Sequence, residues 1–333
     1  MFRPVRWLIW VALRAVLSLR YRMTLRGARR GARRPLLILP NHPAYTDPLN
    51  VLARLGPVFD ARPMLLETNF QNPLLAPFAT ILRAIKVPNT DVTSAEVRDR
   101  ANGAVTAAIA ALKAGDNVIM WPTGHLTYDG AERPGPARAA ADILAAVPEA
   151  TVVLVRTRGL WGSMFSWALG YKPPLNSRLL RGLWLFFANL VLFTPRRRGT
   201  ITFELFPPGT RPEPTRDAVN RWLEGWFNAD TDGKPETPTF VPYHFLFGRR
   251  TFDYPPPPTA AELDLSKVKP ATREAVAHIV EEQLKRPLEP AENVPETALA
   301  DLGLDSLEAM EITLKVEHRF GFSGDARPRT IGQ

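Results

Sequence analysis

Short apolar runs alternate with helical patterns through most of this 333-residue chain, and this alternation constrains the fold more than any other feature. The runs have the length and composition of buried strands. They cover residues 36–39, 64–66, 118–121, 151–155 and 201–206. Helical patterns lie between them, over 49–55, 74–85, 95–112, 138–146 and 215–227. Such alternation predicts an α/β fold with a mostly parallel sheet flanked by helices.

Composition changes sharply near the C-terminus. Residues 230–260 are rich in proline, and the four prolines at 255–258 are typical of a stiff linker. Residues 259–333 carry nine basic and fourteen acidic side chains, whereas residues 1–258 carry a net charge of +14. Helical patterns at 271–283 and 306–319 predict a second, partial all-α unit. The predicted units are therefore 1–34, 35–229, the linker 230–260, and 261–333.

The first 35 residues are strongly basic, with ten arginines and no acidic residue. Apolar residues that include Trp7 and Trp10 lie between the arginines. The run between Arg6 and Arg14 is too short to cross a bilayer, which needs about 20 residues. We expect residues 1–34 to form an amphipathic segment on the cytoplasmic face of a membrane, with an ordinary surface helix as the alternative. No nucleic acid is expected, because no known binding motif accompanies the arginines.

A second apolar stretch, residues 183–193, has arginines on both sides. Its composition fits a core element, a segment that dips into lipid, or one wall of an acyl-chain groove. The absence of cysteine excludes disulfides and a catalytic thiol. The five histidines lack the paired spacing of metal ligands, so no metal is predicted.

One histidine and one aspartate follow the first predicted strand closely. The segment reads Asn41-His42-Pro43-Ala44-Tyr45-Thr46-Asp47. Histidine titrates near neutral pH and can take a proton from an alcohol that attacks a carbonyl. The carboxylate would orient the ring and stabilise its protonated form, as in a serine hydrolase triad without the serine. Taken alone, the pair fits a loop histidine that caps a helix better than it fits a catalytic base.

The His-x₄-Asp segment resembles the first motif of the glycerolipid (1-acylglycerol-3-phosphate) acyltransferase family. A second family motif, a strand followed by Phe-Pro-Glu-Gly-Thr-Arg-Ser, is similar to residues 118–127 here, which lie about 80 residues later. The resemblance covers residues 20–210. It implies that His42 is the catalytic base and Asp47 its partner. It also implies that Asn41, Thr123, Gly124 and His125 lie near the acceptor head group.

The chain departs from the family pattern at several positions. Thr123 stands where the family has glutamate, and Asn89 stands where an arginine would meet the acceptor's phosphate. A bulkier lysophospholipid or another lipid alcohol is therefore expected in place of lysophosphatidic acid. Arg156 and Arg158 could bind phosphate instead, or could be solvated charges at a strand end. His125 could bind a head group or cap a turn.

The sequence Leu302-Gly303-Leu304-Asp305-Ser306-Leu307-Glu308 resembles the attachment site of acyl carrier proteins. The resemblance implies that 4'-phosphopantetheine is covalently bound to Ser306. Asp305 is expected to cap the helix that Ser306 begins, and the following acidic helix to present a docking face to basic partners. Carrier domains normally have four helices, so 261–333 is predicted to be a truncated carrier, with an adenylating ligase expected downstream.

Together these patterns predict an O-acyltransferase of phospholipid metabolism. The acyl donor would be an acyl-carrier or acyl-coenzyme A thioester, and the acceptor the hydroxyl of a lysophospholipid-like molecule. The alternative is a catalytically degenerate module that binds acyl groups or lipids within a larger acyl-activating protein.

Overall fold

The fold is built on one seven-stranded sheet. The computed structural model describes residues 3–28, 32–71, 76–88, 95–135, 137–169, 173–192, 196–239, 241, 268–320 and 330–332. Within these, the strands are β1 (Tyr21–Arg26), β2 (Leu36–Pro40), β3 (Ala61–Leu66), β4 (Ile85–Val87), β5 (Asn117–Ile119), β6 (Thr151–Arg158) and β7 (Arg197–Phe206). The helices are α1 (Arg3–Ser18), α2 (Asp47–Phe59), α3 (Thr68–Gln71), α4 (Ala76–Ile81), α5 (Ala95–Lys113), α6 (Ala139–Ala146), α7 (Leu175–Leu192), α8 (Arg216–Asn228), α9 (Pro270–Leu284) and α10 (Ser306–Phe320).

The strand order places β2 at the centre of the sheet. The order is β1-β7-β6-β2-β5-β3-β4, and β6 against β7 is the antiparallel pair among these strands. The chain adds β3 and then β5 on one side of β2 before it crosses to β6 on the other side. In open α/β sheets, the crevice at such a switch point, beyond the carboxyl ends of the strands, is where ligands bind. The segment after β2 therefore leads into that crevice.

Helices cover both faces of the sheet, which confirms the predicted α/β class. Successive strand side chains point to opposite faces, so Leu37 and Leu39 pack on one side and Leu36 and Ile38 on the other. The first side buries residues of α5, α6 and α8, and the second buries residues of α1 and α2. Because both faces of β2 are covered, its residues are buried throughout and its sequence is continuously apolar.

Three elements differ from the sequence-based prediction. Residues 21–26, assigned to the membrane-surface segment, form the edge strand β1, in which arginines alternate with partly buried side chains. The helix predicted over 74–85 ends at Ile81; Arg83 then adopts a positive φ of 56°, and Ile85 pairs with Met64 in β4. The apolar residues at the end of 74–85 fit a short strand as well as a helix. The pairing with β3 makes residues 85–87 a strand.

The C-terminal helices form a small core of their own. Val280 of α9 packs with Leu302, Leu304 and Ile312 in a cluster separate from the cores beside the sheet. This confirms a helical unit after the linker. Most of the predicted linker 230–260, namely residues 240 and 242–260, lies outside the described residues, as does Asn89.

Candidate active site

His42 lies just beyond the carboxyl end of β2, and its backbone is held on both sides. Its N–H donates to Oε2 of Glu132 over 3.2 Å, and its carbonyl accepts from the N–H of Thr127 over 2.9 Å. Both partners belong to the loop that follows β5. The second motif-like segment therefore fixes the position of the histidine in the first.

The local turn into α2 brings Asp47 back to His42. Asp47 is the first residue of α2, and its N–H donates to the carbonyl of Ala44. Nδ1 of His42 lies 3.0 Å from Oδ2 of Asp47. The carboxylate is fully buried, whereas the imidazole keeps 16% of its surface exposed. The pair therefore has the geometry of an oriented base that an acceptor can reach.

Burial and the neighbouring charges shift both ionisable groups. Burial, the largest influence, lowers the pKa of His42, but the charge and hydrogen bond of Asp47 and the charge of Glu132 together raise it above its ordinary value. Burial raises the pKa of Asp47 to about 6, against the opposing charge and hydrogen bond of His42. Nδ1 donates to the carboxylate when Asp47 is ionised, and Nε2 then carries the lone pair that accepts a proton.

Sequence reasoning missed Glu132, which is 1% exposed. Its carboxylate accepts from the His42 N–H and from the hydroxyl of Thr127, and it lies 3.0 Å from the hydroxyl of Thr123. Asn228, at the end of α8, accepts from the Glu132 N–H and donates to its carbonyl. The sequence signal for Glu132 is the missing motif glutamate at 123, because a site of this kind that lacks it is expected to draw a carboxylate from elsewhere in the chain.

Two of the predicted substrate-binding residues are buried and bonded within the protein. The side-chain amide of Asn41 donates to the carbonyl of Thr157 and accepts from its N–H, which ties the end of β2 to β6. The Thr123 hydroxyl lies 3.0 Å from both Glu132 and the carbonyl of His125, and its single proton serves one of them. A role for either residue in substrate binding stays a prediction.

Gly124 and His125 are exposed on the loop beside His42. Gly124 has a φ of +67° and open space around it. Nδ1 of His125 lies 2.9 Å from the carbonyl of Leu126, and its ring stacks on Tyr128 at 4.7 Å. Nδ1–H donates to that carbonyl, which leaves Nε2 for a partner. These contacts agree with a turn and leave a head-group contact as a prediction.

Arg156 and Arg158 are engaged mainly with the protein. Arg156 donates to the carbonyl of Trp226 and lies over its ring, and Arg158 donates to Asp230 at 2.8 Å. The side chains of Arg156 and Arg158 are 15% and 14% exposed. They are not solvated charges at a strand end, and an approaching phosphate would compete with Asp230. Phosphate binding by these arginines stays a prediction.

Ser306 is the first residue of α10, and its side chain lies outside the described part of the chain. Asp305 accepts from the N–H groups of Leu307 and Glu308, and Glu308 accepts from the Asp305 N–H over 2.8 Å. This reciprocal pair is a capping box. A phosphate ester on the first residue of a helix would lie at the positive end of the helix dipole, so the local structure fits phosphopantetheine.

Two helices expose apolar faces. On α7 the exposed residues recur at helical spacing: Leu179, Leu180, Leu183, Trp184 and Phe187. On α1 they are Val5, Trp7, Leu8, Val11 and Val16, whereas Trp10 is buried against Gly56. The interpretation of 183–193 as a core element is therefore wrong for its described side chains. Among the described residues, no helix is both long and apolar enough to span a membrane.

The helix α7 packs against a residue close to the site. A Cβ on Gly182 would come within 3.1 Å of the Phe165 ring, and Phe165 packs with Ala44, two residues beyond His42. The carbonyl of Phe165 accepts from the N–H of Tyr45. The described residues contain no cluster of three potential metal ligands, and the absence of a metal stays a prediction.

Comparison with known proteins identifies the C-terminal unit. Residues 274–327 match the family described as "Phosphopantetheine attachment site", so the chain carries a carrier domain. A solved structure of the 1-acyl-sn-glycerophosphate (LPA) acyltransferase PlsC from Thermotoga maritima is similar, with a TM-score of 0.41 and 16% identity, over 66% of this chain and 78% of that chain. No curated protein sequence matches.

Proposed function

We propose that this chain transfers a fatty acyl group from a thioester to the hydroxyl of a lysophospholipid-like acceptor at a membrane surface. The observation that carries the proposal is the pairing of His42 with the buried Asp47 at the carboxyl end of the central strand. Asp47 holds Nδ1 of His42 and leaves Nε2 to accept a proton from an incoming hydroxyl. No serine or cysteine nucleophile of the chain is required.

The reaction follows from this arrangement. Nε2 of His42 takes the hydroxyl proton while the acceptor oxygen attacks the thioester carbonyl. Asp47 stabilises the imidazolium that forms, as the carboxylate of a triad does. The new C–O bond replaces the C–S bond, and His42 returns the proton to the departing thiolate. Phosphopantetheine, when bound to Ser306, supplies a thiol that carries acyl groups as thioesters; coenzyme A supplies the same group in solution.

A lipid acceptor is supported by the exposed apolar faces of α1 and α7. Trp184 is 69% exposed and Leu183 is 55% exposed, on the helix that contacts Phe165 beside the site. Basic residues accompany these faces, and anionic lipid attracts such surfaces. Exposed apolar patches rimmed by charge mark interaction sites, and the interface of a membrane suits both properties. We therefore propose a peripheral location on the cytoplasmic face of a membrane.

The alternative, a degenerate binding module, rests on Thr123 in place of the motif glutamate and on Asn89 in place of the motif arginine. Thr123 lies 3.0 Å from Glu132, whose carboxylate also accepts from the backbone of His42. A carboxylate therefore lies beside the base in spite of the substitution. This contact favours the catalytic interpretation over the degenerate one.

The decisive experiment is the substitution His42→Ala. Purified protein is incubated with mixed lysophospholipids and acyl-coenzyme A, and the products are identified by mass spectrometry. We expect loss of transfer by about 10²–10⁴-fold, the usual contribution of a general base. The matched control is His278→Ala, because His278 also faces a carboxylate, Glu282, at 4.0 Å but is exposed on α9.

The outcomes separate the two functions. Loss of transfer in His42→Ala with normal transfer in His278→Ala supports the proposal. Equal transfer by the parent and His42→Ala contradicts it. Lipid binding without any transfer by the parent protein supports the degenerate module instead.

A further inference from the structure

The carrier helix α10 contacts the sheet domain through two arginines. Nε of Arg138 lies 3.6 Å from Asp305, and its Nη1 lies 3.8 Å from Glu308. Nη1 of Arg216 lies 3.6 Å from Glu308 and donates to the carbonyl of Gly303 over 2.6 Å. The arginines therefore contact the residues on both sides of Ser306. The basic first part of the chain and its acidic tail meet at the attachment site.

The two arginines are held at a fixed spacing by their own domain. Arg138 directly precedes α6, and Arg216 begins α8. The side-chain amide of Asn220 on α8 donates to the carbonyls of Gly135 and Ala137, each over 2.7 Å. The loop that carries Arg138 is thereby fixed to α8. A preorganised pair of cations matches the paired carboxylates of the capping box.

A cleft lies beside α8, and its lining includes Asp217, which follows Arg216 in the chain. Its volume is about 360 Å³, and its lining residues are Gly135, Asp217, Asn220, Arg221 and Glu224. The α8 members are spaced three and four apart and so share one face of the helix. Continuing the same spacing along α8 leads to Asn228, which bonds to Glu132 beside His42.

The length of this path suits the prosthetic group. The twelve steps from Arg216 to Asn228 along α8 span about 18 Å, which is on the order of the length of an extended phosphopantetheine group. The contact at its start is made by partly exposed ion pairs, with side-chain exposures of 47% for Arg138 and 34% for Arg216. Such pairs are individually weak and screened by salt, which allows a carrier to bind and leave.

We propose that Arg138 and Arg216 form a docking site for the chain's own carrier helix, and that the cleft beside α8 receives the group attached to Ser306. The inference rests on the proposed function only in naming the acyl donor as the carrier in cis. The docking contact itself exists whether or not transfer occurs. It therefore has readouts that do not depend on activity.

The docking is tested by a distance measurement on the full chain without the prosthetic group. Because the chain has no cysteine, Glu213→Cys and Asp301→Cys allow spin labels to be placed on either side of the contact. We expect one short, narrow distance in this parent, and a longer, broad distribution after Arg138→Glu with Arg216→Glu. The control is Arg100→Glu, which removes an arginine of matched exposure, 46%, from an ion pair with Glu67. An unchanged distribution in the double variant overturns the docking site.

The path is tested by hydrogen exchange. Phosphopantetheine is attached to Ser306 by a phosphopantetheinyl transferase. Backbone amide exchange in peptides that cover residues 217–224 is then compared with that of the unmodified protein. We expect exchange to slow by about threefold or more in the parent, and not in the double variant. Ser306→Ala, which cannot be loaded, is the blank. Unchanged exchange in the parent overturns the path.

A third measurement keeps this inference separate from the proposed function. Transfer from acyl-pantetheine, a free and uncharged thioester, is compared in the parent and the double variant. We expect rates within about twofold, because the arginines act on the carrier and not on His42. If transfer from acyl-pantetheine falls in the double variant as much as transfer from the carrier does, the arginines support the site itself. That result would overturn a carrier-specific role. Failure of the proposed function would appear separately, as normal transfer by His42→Ala.

Discussion

At the scale of single residues, one imidazole and two carboxylates set the chemistry. His42 and Asp47 are 3.0 Å apart, and Glu132 accepts from the His42 backbone. Both carboxylates lie where water is largely excluded, so their charges act strongly on the imidazole. The raised pKa of His42 follows from that arrangement. The base is protonated at a higher pH than a free histidine would be.

Asp47→Asn should move the acidic limb of the pH–rate profile to lower pH. In the parent, transfer needs neutral His42 and so falls as pH drops through a value above the ordinary 6.5. Without the charge of Asp47, burial dominates and lowers the pKa of His42. The amide also favours the wrong tautomer, so kcat should fall by about 10²–10⁴-fold. Profiles of kcat and of kcat/KM from pH 5 to 9 measure the two effects, and an unmoved acidic limb would count against Asp47 as the partner of His42.

Glu132→Gln should lower both stability and the pKa of His42. The change removes a charge that raises this pKa and places an amide next to three donors. Each donor left without a good partner costs about 1–3 kcal/mol, so we expect a loss of about 2 kcal/mol in the free energy of unfolding. Urea denaturation and the pH–rate profile give the two readouts.

The control for this variant is Glu236→Gln. Glu236 is also a buried carboxylate, but it accepts from the N–H of Gly159 and pairs with Arg158. Loss of the Glu236 charge should reduce the free energy of unfolding and leave the acidic limb of the pH–rate profile in place. If both variants shift the limb equally, Glu132 has no specific effect on the base.

At the scale of elements, α7 and α1 differ from the other helices in what they leave exposed. The helices α5, α6 and α8 bury their apolar residues against the sheet. In contrast, α7 exposes Leu183, Trp184 and Phe187 on one face, and α1 buries Trp10 while it exposes Trp7 and Leu8. An amphipathic helix normally turns its apolar stripe towards the core. Its outward orientation here is what supports contact with lipid.

Leu183→Glu with Phe187→Glu should weaken binding to anionic vesicles by at least about tenfold. Both side chains are 55% exposed, and burying a side chain of this size is worth about 1.5–3 kcal/mol. Co-sedimentation with vesicles of phosphatidylglycerol and phosphatidylcholine measures the change. Leu66→Glu with Phe78→Glu is the matched control, since these residues are 47% and 48% exposed near the β3–β4 edge. Equal vesicle binding by all three proteins would exclude α7 as the lipid contact.

At the scale of the whole molecule, a carrier helix is bound to the sheet domain that carries the candidate site. Arg138 and Arg216 meet α10 at one end of α8, and Asn228 meets Glu132 at the other. The helix α8 therefore links the two functional regions. A reaction that uses a covalently held acyl group gains effective concentration from such an arrangement, because the donor cannot diffuse away.

The sequence by itself predicted those features that depend on neighbours along the chain. Strand and helix alternation predicted the α/β class, because buried strands and amphipathic helices impose their own periodicities. His42 and Asp47 were recognised together because they lie only five positions apart in the chain. The capping residue Asp305 was likewise predicted from its place before a helical pattern.

Only the tertiary structure decided the contacts between distant segments. Glu132 lies ninety residues from His42, and β1 joins the sheet by pairing with β7 at the far end of the domain. The outward face of α7 and the arginine contacts of α10 are also products of packing. Local periodicity carries no information about which distant surfaces meet, because that choice depends on how the whole chain buries its apolar area.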